Sequence, residues 1–187
     1  MLVNIKTLFY GGGTMRYLKE IQEYIIEKDF VAYWDGKPIY LYKCDLKNAY
    51  KHSEYFKERK LTSPCFVHTV MSIFNRIKEY AIFIAYDENY RKLSEKSKAF
   101  LLAHELGHIV NQNPCTHELS DEGPADKYAL DHVEKPSRSE IKKMAEWISH
   151  YGRRYYENTY KEFVDRFINR AFLDGKHGYI SVSVFGS

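Results

Sequence analysis

His104 and His108 stand four residues apart, with Glu105 following the first, inside a stretch that reads as helix from end to end. On an α-helix, positions four apart lie about 40° from each other around the axis and about 6 Å along it, so both imidazoles can face one point. Glu105 is turned about 100° from His104 and stands beside that point rather than beneath it. Such a helix must keep one flank on a polar cleft and the other on a core. Phe100, Leu101, Ala103, Leu106, Ile109 and Val110 supply the apolar surface. Ser94-Glu95-Lys96-Ser97 supplies an N-cap with an acidic residue in the first turn. Gly107 costs about 1 kcal/mol of helix propensity relative to Ala. Tight packing, or close approach of another backbone segment or a ligand, would explain it.

The H-E-x-x-H pattern points to a divalent metal held by the two His, with Glu105 placed as a general base toward a water that the metal activates. The expectation is one zinc ion per chain and peptide-bond hydrolysis. A catalytic zinc usually has three protein ligands and an open position. The extended pattern H-E-x-x-H-x-x-G-x-x-H would need a glycine at position 111 and a histidine at 114, where this chain has Asn111 and Pro114. The better candidate is Glu122, at the opening of a second helix capped by Ser120 or Asp121, with Pro124 tolerable because it lies in the first turn. Asp126 is one turn further on the same face. One carboxylate could bind the metal while the other accepts the free ring N–H of a ligating His. His117 and Glu118, in the irregular connection from Asn111 to Ser120, and Asp121 directly after it are the other candidates for the third ligand, and Cys115 could bind adventitiously. Tyr128 and His117 are candidate donors to a developing oxyanion. His132 is expected at the surface or in packing. His52, His68, His150 and His177 have no ligand spacing.

The segment from Tyr80 to Ala129 resembles the ImmA/IrrE-like metallopeptidases. Tyr80-Ala81-Ile82-Phe83-Ile84-Ala85-Tyr86-Asp87 looks like the strand beside the active-site helix of zincins. Phe100-Leu101-Leu102-Ala103-His104-Glu105-Leu106-Gly107-His108 looks like that helix, and Glu122-Gly123-Pro124-Ala125-Asp126-Lys127-Tyr128-Ala129 like the family's E-x-x-A-[DN]-x-[FY]-A helix. The resemblance implies His104, His108 and Glu122 as zinc ligands and Glu105 as catalytic base. The E-x-x-x-D spacing is similar to that of gluzincins, in which the Asp supports a ligating His. It also implies a protein substrate, such as a helix-turn-helix repressor of a phage or mobile element. The match covers about fifty of 187 residues. Members commonly continue with an apolar run ending in Met-Pro, where this chain reads Leu130-Asp131-His132-Val133-Glu134-Lys135-Pro136.

Elsewhere the sequence predicts an α+β, zincin-like fold, a small mixed or antiparallel sheet packed on the H-E-x-x-H helix. Residues 1–14 are expected to stand outside the fold as an extension, with Met15 the true start and residues 15–187 a single domain, helical from about 137. Tyr17, Leu18, Ile21, Tyr24 and Ile25 give a helical stripe over Arg16 to Glu27. Phe30–Trp34 and Ile39–Tyr42 read as a hairpin around Asp35-Gly36, with Pro38 starting its second strand late or placing it at an edge. Asp45 to Lys60 reads as helix or exposed loop. Val67 to Tyr80 reads as helix, with Val70, Met71, Phe74 and Ile77 on one face, leading into a strand over Ala81 to Tyr86 whose edge could pair with an extended substrate. Ser137-Arg138-Ser139-Glu140 is a capping-box pattern, followed by Ile141, Met144, Ala145 and Ile148 at helical spacing. After Gly152 a second stripe, Tyr156, Tyr160, Phe163, Val164, Phe167 and Ala171, should pack on the catalytic half. Ile180 to Phe185 could add a terminal strand.

A net charge of +3, His taken as neutral, is too small to argue for nucleic acid or membrane binding. No apolar run reaches the length of a membrane span. Cys44, Cys65 and Cys115 are scattered and odd in number, which suits free thiols and the cytoplasm rather than a disulfide framework. Besides a metallopeptidase, the chain could be a catalytically idle zinc-containing module that binds protein through its many aromatic residues.

Overall fold

The computed structural model describes residues 20–54, 56, 63–72, 76–113, 115–116, 118–151, 156–171 and 180–181. The expected extension over 1–14, the Met15 start, His117, Gly152, His177 and all but two residues of the terminal strand lie outside them. The described chain is α+β, built on a mixed four-stranded sheet. In chain order the strands are β1 (Ile25–Trp34), β2 (Lys37–Cys44), β3 (Cys65–Met71) and β4 (Ile77–Ala85), and their spatial order is β1-β2-β4-β3. β2 and β4 are parallel, and the outer pairs are antiparallel.

The hairpin between β1 and β2 forms at Asp35-Gly36, both residues with positive φ (47° and 67°), the combination a two-residue type I′ turn requires. Pro38 is inside β2, which starts at Lys37 and is an interior strand. Its missing N–H is harmless because pairing with β4 begins one residue later, at Ile39↔Tyr80. The stripe near the N-terminus gives way at Gln22–Tyr24 to a single 3₁₀ turn, and extended chain starts at Ile25 rather than Phe30.

Val67 to Tyr80 is not a helix. Residues 67–71 belong to β3 and 77–80 to β4, Phe74 lies outside the described residues, and Val70 and Ile77 fall at helical spacing by coincidence. The better signal was the run Cys65-Phe66-Val67-His68-Thr69-Val70, rich in β-branched and aromatic residues. This corrects a second expectation. β4 has neighbours on both sides, so no peptide can pair with it, and the sheet edge beside the H-E-x-x-H helix is β3. Tyr80 to Ala85 are all buried, as befits an interior strand covered on both faces. Tyr42, Phe83 and Phe66, directly opposite one another on three strands, stack with centroids 5.0 and 5.2 Å apart.

Among the described residues there are five longer helices. α1 (Leu46–His52) is capped by Asp45 and buries Leu46 and Ala49. After β4 and a single turn at Glu88–Arg91 comes α2 (Glu95–Val110), capped by Ser94, whose side chain accepts from the Ser97 N–H. α3 (Glu122–His132) packs on α2. α4 (Arg138–Ser149) opens with the full capping box of Ser137 and Glu140 and buries Ile141, Met144, Ala145 and Trp147. α5 (Tyr156–Val164) runs into a π-helical turn at Asp165–Asn169, which brings Phe163 and Phe167 into the core. Two short strands, β5 (Arg170–Ala171) and β6 (Ile180–Ser181), pair antiparallel. No described helix is long and apolar enough to cross a membrane.

The backbones of α2 and α3 approach closely where they cross at Gly107. A Cβ on Gly107 would lie 2.6 Å from the Ala125 Cα, 2.8 Å from its carbonyl oxygen and 3.0 Å from the Tyr128 Cβ. The glycine is therefore required by an approaching backbone. Gly107→Ala should push the helices apart and cost about 1–3 kcal/mol of stability, the usual range for overpacking. Equilibrium denaturation checks this, and a neutral substitution would contradict it.

Candidate metal centre

Three hydrogen bonds from Ser120 fasten the connection after α2 back onto that helix. Its N–H donates to the His108 carbonyl (3.2 Å), its Oγ donates to the Gly107 carbonyl (3.3 Å), and its own carbonyl accepts from His108 Nδ1 (2.7 Å). Asn111 adds a clamp, donating to the carbonyls of Gly107 (2.9 Å) and Pro124 (3.4 Å). Asp121 then stands as the N-cap of α3, and Glu122 occupies its first turn, where a negative charge suits the helix dipole.

With α3 so placed, Nε2 of His104, Nε2 of His108 and the Glu122 carboxylate converge, all within 4.8 Å of one another. The two Nε2 atoms are 3.2 Å apart, Glu122 Oε2 is 3.4 Å from that of His104, and Oε1 is 3.8 Å from that of His108. Donors bound tetrahedrally at 2.0–2.1 Å from a zinc ion stand about 3.3 Å from one another, so the spacing fits such an ion. The chemistry of the set fits too. A carbonyl can only accept, so the Ser120 contact places a proton on His108 Nδ1 and leaves Nε2 turned toward the cluster. His104 Nδ1 lies 3.0 Å from Asp126 Oδ1, an ion-pair contact rather than an aligned hydrogen bond, and its Nε2 likewise faces the cluster. Asp126, 0% exposed, thus stands behind a candidate ligand, where the sequence placed it.

Among the described residues no other group of His, Cys, Asp and Glu converges in this way. Glu118 and Asp121 are exposed and outside the cluster, and Cys115 is exposed in the connection. His132 is exposed, stacked at 3.9 Å on Tyr128. Glu105 is buried on the flank toward β3, beside Cys65. Burial first, and then the Glu105 carboxylate, push the Cys65 thiol well above its ordinary range.

Arg166, in the π-helical turn after α5, was not foreseen. Its Nε donates to Asp126 Oδ2 (2.8 Å), and one terminal nitrogen donates to both Asp126 Oδ1 (2.6 Å) and Glu122 Oε2 (2.8 Å). The available signal was a lone cation inside an otherwise apolar stripe, between Phe163 and Phe167, together with two carboxylates that need counter-charge. Cys65 was hidden for another reason, since the misread helix obscured the strand that begins there.

The charges hold one another. Burial disfavours a charged His104, but Asp126 and Glu122 more than offset this, and its pKa is raised to about 9. Burial likewise opposes ionisation of Glu122 and Asp126, yet His104 and Arg166 hold both below the ordinary carboxylate range. No protein-family model, curated protein or solved structure matches the chain.

A pH dependence follows. The folded-state pKa of His104, about 9, is above its ordinary 6.5, so its contribution to the stability of the metal-free protein is complete below about pH 6.5 and lost as pH rises through 9. Glu122 and Asp126 act oppositely, stabilising above the ordinary carboxylate range and losing that contribution on acidification. Chelator-treated protein should melt highest between about pH 5 and 6.5 and progressively lower toward pH 9. Zinc affinity should climb over the same upper interval, because the His104 proton must leave. Thermal melts in a buffer series check this, and a flat profile from pH 6.5 to 9 would contradict it.

Proposed function

We propose that this chain is a zinc-dependent, zincin-like metallopeptidase that binds one zinc ion through His104, His108 and Glu122 and uses Glu105 as its general base. The observation that carries the proposal is the convergence of three donors at metal-binding separations, with Glu105 near enough to favour charge on His104 and β3 an outer strand among the described residues. A bound zinc ion would supply Lewis acidity toward a water molecule and a scissile carbonyl. Glu105 would take the proton of the attacking water and deliver it to the leaving amine. The backbone of β3, paired on one side with β4, would hold an extended peptide by strand addition. Asp126 would fix the ring of His104 through Nδ1, and Ser120 that of His108.

The substrate we propose is a protein regulator, of the helix-turn-helix repressor kind the resemblance implies. The proposed compartment is the cytoplasm, where the free thiols Cys44, Cys65 and Cys115 would stay reduced. One observation favours the alternative of an idle binding module: Ile26, Phe30, Tyr33 and Trp34 leave large apolar surface exposed on β1.

Glu105→Gln separates the two. It should retain about one zinc per chain and lose cleavage of a candidate repressor by at least about 100-fold, the scale of a general base. Fragment mass spectrometry reads the cleavage. Undiminished cleavage by the variant would remove Glu105 from its role, and absence of cleavage by the wild type against repressors encoded near it would favour the binding module.

A further inference from the structure

We infer that Arg166 is a positioning residue for the metal centre: it holds Glu122 so that only part of its carboxylate is free for the ion, an assignment that rests on the metal centre proposed above. Arg166 is 3% exposed and lies 40 residues beyond Asp126 and 44 beyond Glu122 in the chain. Its guanidinium is committed on one edge to Asp126, through parallel bonds from two nitrogens to the two carboxylate oxygens. That fork fixes the plane and rotation of the group. The nitrogen that completes the fork also reaches Glu122 Oε2 at 2.8 Å, so the direction of that bond is set by Asp126 rather than by Glu122. The remaining terminal nitrogen is 3.5 Å from Glu162 Oε1.

Aromatic packing prevents the fork from drifting. The guanidinium carbon lies 5.0 Å from the Phe167 ring centroid and 5.7 Å from that of Phe163. Phe167 in turn packs edge-on at 4.9 Å against Phe100, one turn before His104 on α2. The side chain is thus held between the carboxylates of α3 and two rings of its own segment, one of which rests on α2. An oxygen of Glu122 that accepts a charge-assisted bond from a fixed donor has fewer lone pairs and less rotational freedom for a metal. The carboxylate is thereby biased toward one-oxygen ligation, and a site of low coordination number is favoured. Lysine would keep the charge but not the fork, since its ammonium has no planar pair of donors.

The test is cobalt(II) titration of the chelator-stripped full chain, read by visible absorption, in the wild type, Arg166→Met and Arg166→Lys. Cobalt reports affinity and, through the intensity of its d–d bands, the number of its ligands. The wild type should bind one equivalent with intense four-coordinate bands. Arg166→Met should bind about 10–100-fold more weakly, the usual loss for a partner behind a ligand, with weaker bands as Glu122 engages through both oxygens. Arg166→Lys should fall between in affinity. Wild-type affinity and bands in either variant would overturn the assignment, and so would tighter binding, which would make Arg166 only a repelling charge. If Arg166→Met does not fold, Arg166→Lys decides on the same criteria. A wild type that takes up no cobalt would overturn the metal centre itself and this role with it.

Discussion

The candidate site depends on one contact, the crossing of α2 and α3 at Gly107 and Ala125. Gly107 lies between His104 and His108 along its helix, and Ala125 lies between Glu122 and Asp126 along the other. The point of closest approach is therefore framed by both pairs of functional side chains. Any side chain larger than hydrogen at position 107 would meet backbone, which cannot yield as a flexible side chain can. The glycine costs propensity in the middle of a 16-residue helix, and the geometry shows what is gained. Two imidazoles and a carboxylate from separate helices come within metal-binding reach.

The same approach concentrates charge in a region with little water. Asp126 and Arg166 are buried, His104 is 3% exposed, and Glu122 is largely covered. Replacing such a cluster by well-packed apolar residues is often neutral or stabilising, so its presence is weak evidence of a need for stability. Its hydrogen bonds instead constrain orientation. His108 Nδ1 donates to the Ser120 carbonyl, His104 Nδ1 rests in ion-pair contact with Asp126, the other nitrogen of each ring is directed inward, and each carboxylate is held by Arg166. Order of this kind, set by the protein's own side chains, is what a preorganised metal site requires.

Much of this was legible in the sequence because it is local. Spacing of four along one helix determines which side chains share a face, so the His pair and the Glu122–Asp126 pair could be read without a fold. Caps at Ser94 and Ser137 and the Asp35-Gly36 turn are equally local. The edge strand was misread because β3 and β4 are covered on both faces, and a continuous apolar run carries no alternation to separate strand from helix. With β3 lost, β4 was given the edge it does not occupy. Arg166 escaped because its partners are 40 and 44 residues away, a pairing set by how the π-helical turn after α5 meets α3 rather than by any spacing in the chain.

The central claim is that Glu122 completes a three-donor zinc site with His104 and His108. Zinc content per chain, measured by elemental mass spectrometry on wild type and Glu122→Ala purified side by side, tests it most directly. The account predicts about one zinc per wild-type chain and a clear loss in the variant, with both proteins folded. A wild type that stays metal-free when zinc is offered, or a variant that holds zinc as fully as the wild type, would contradict it.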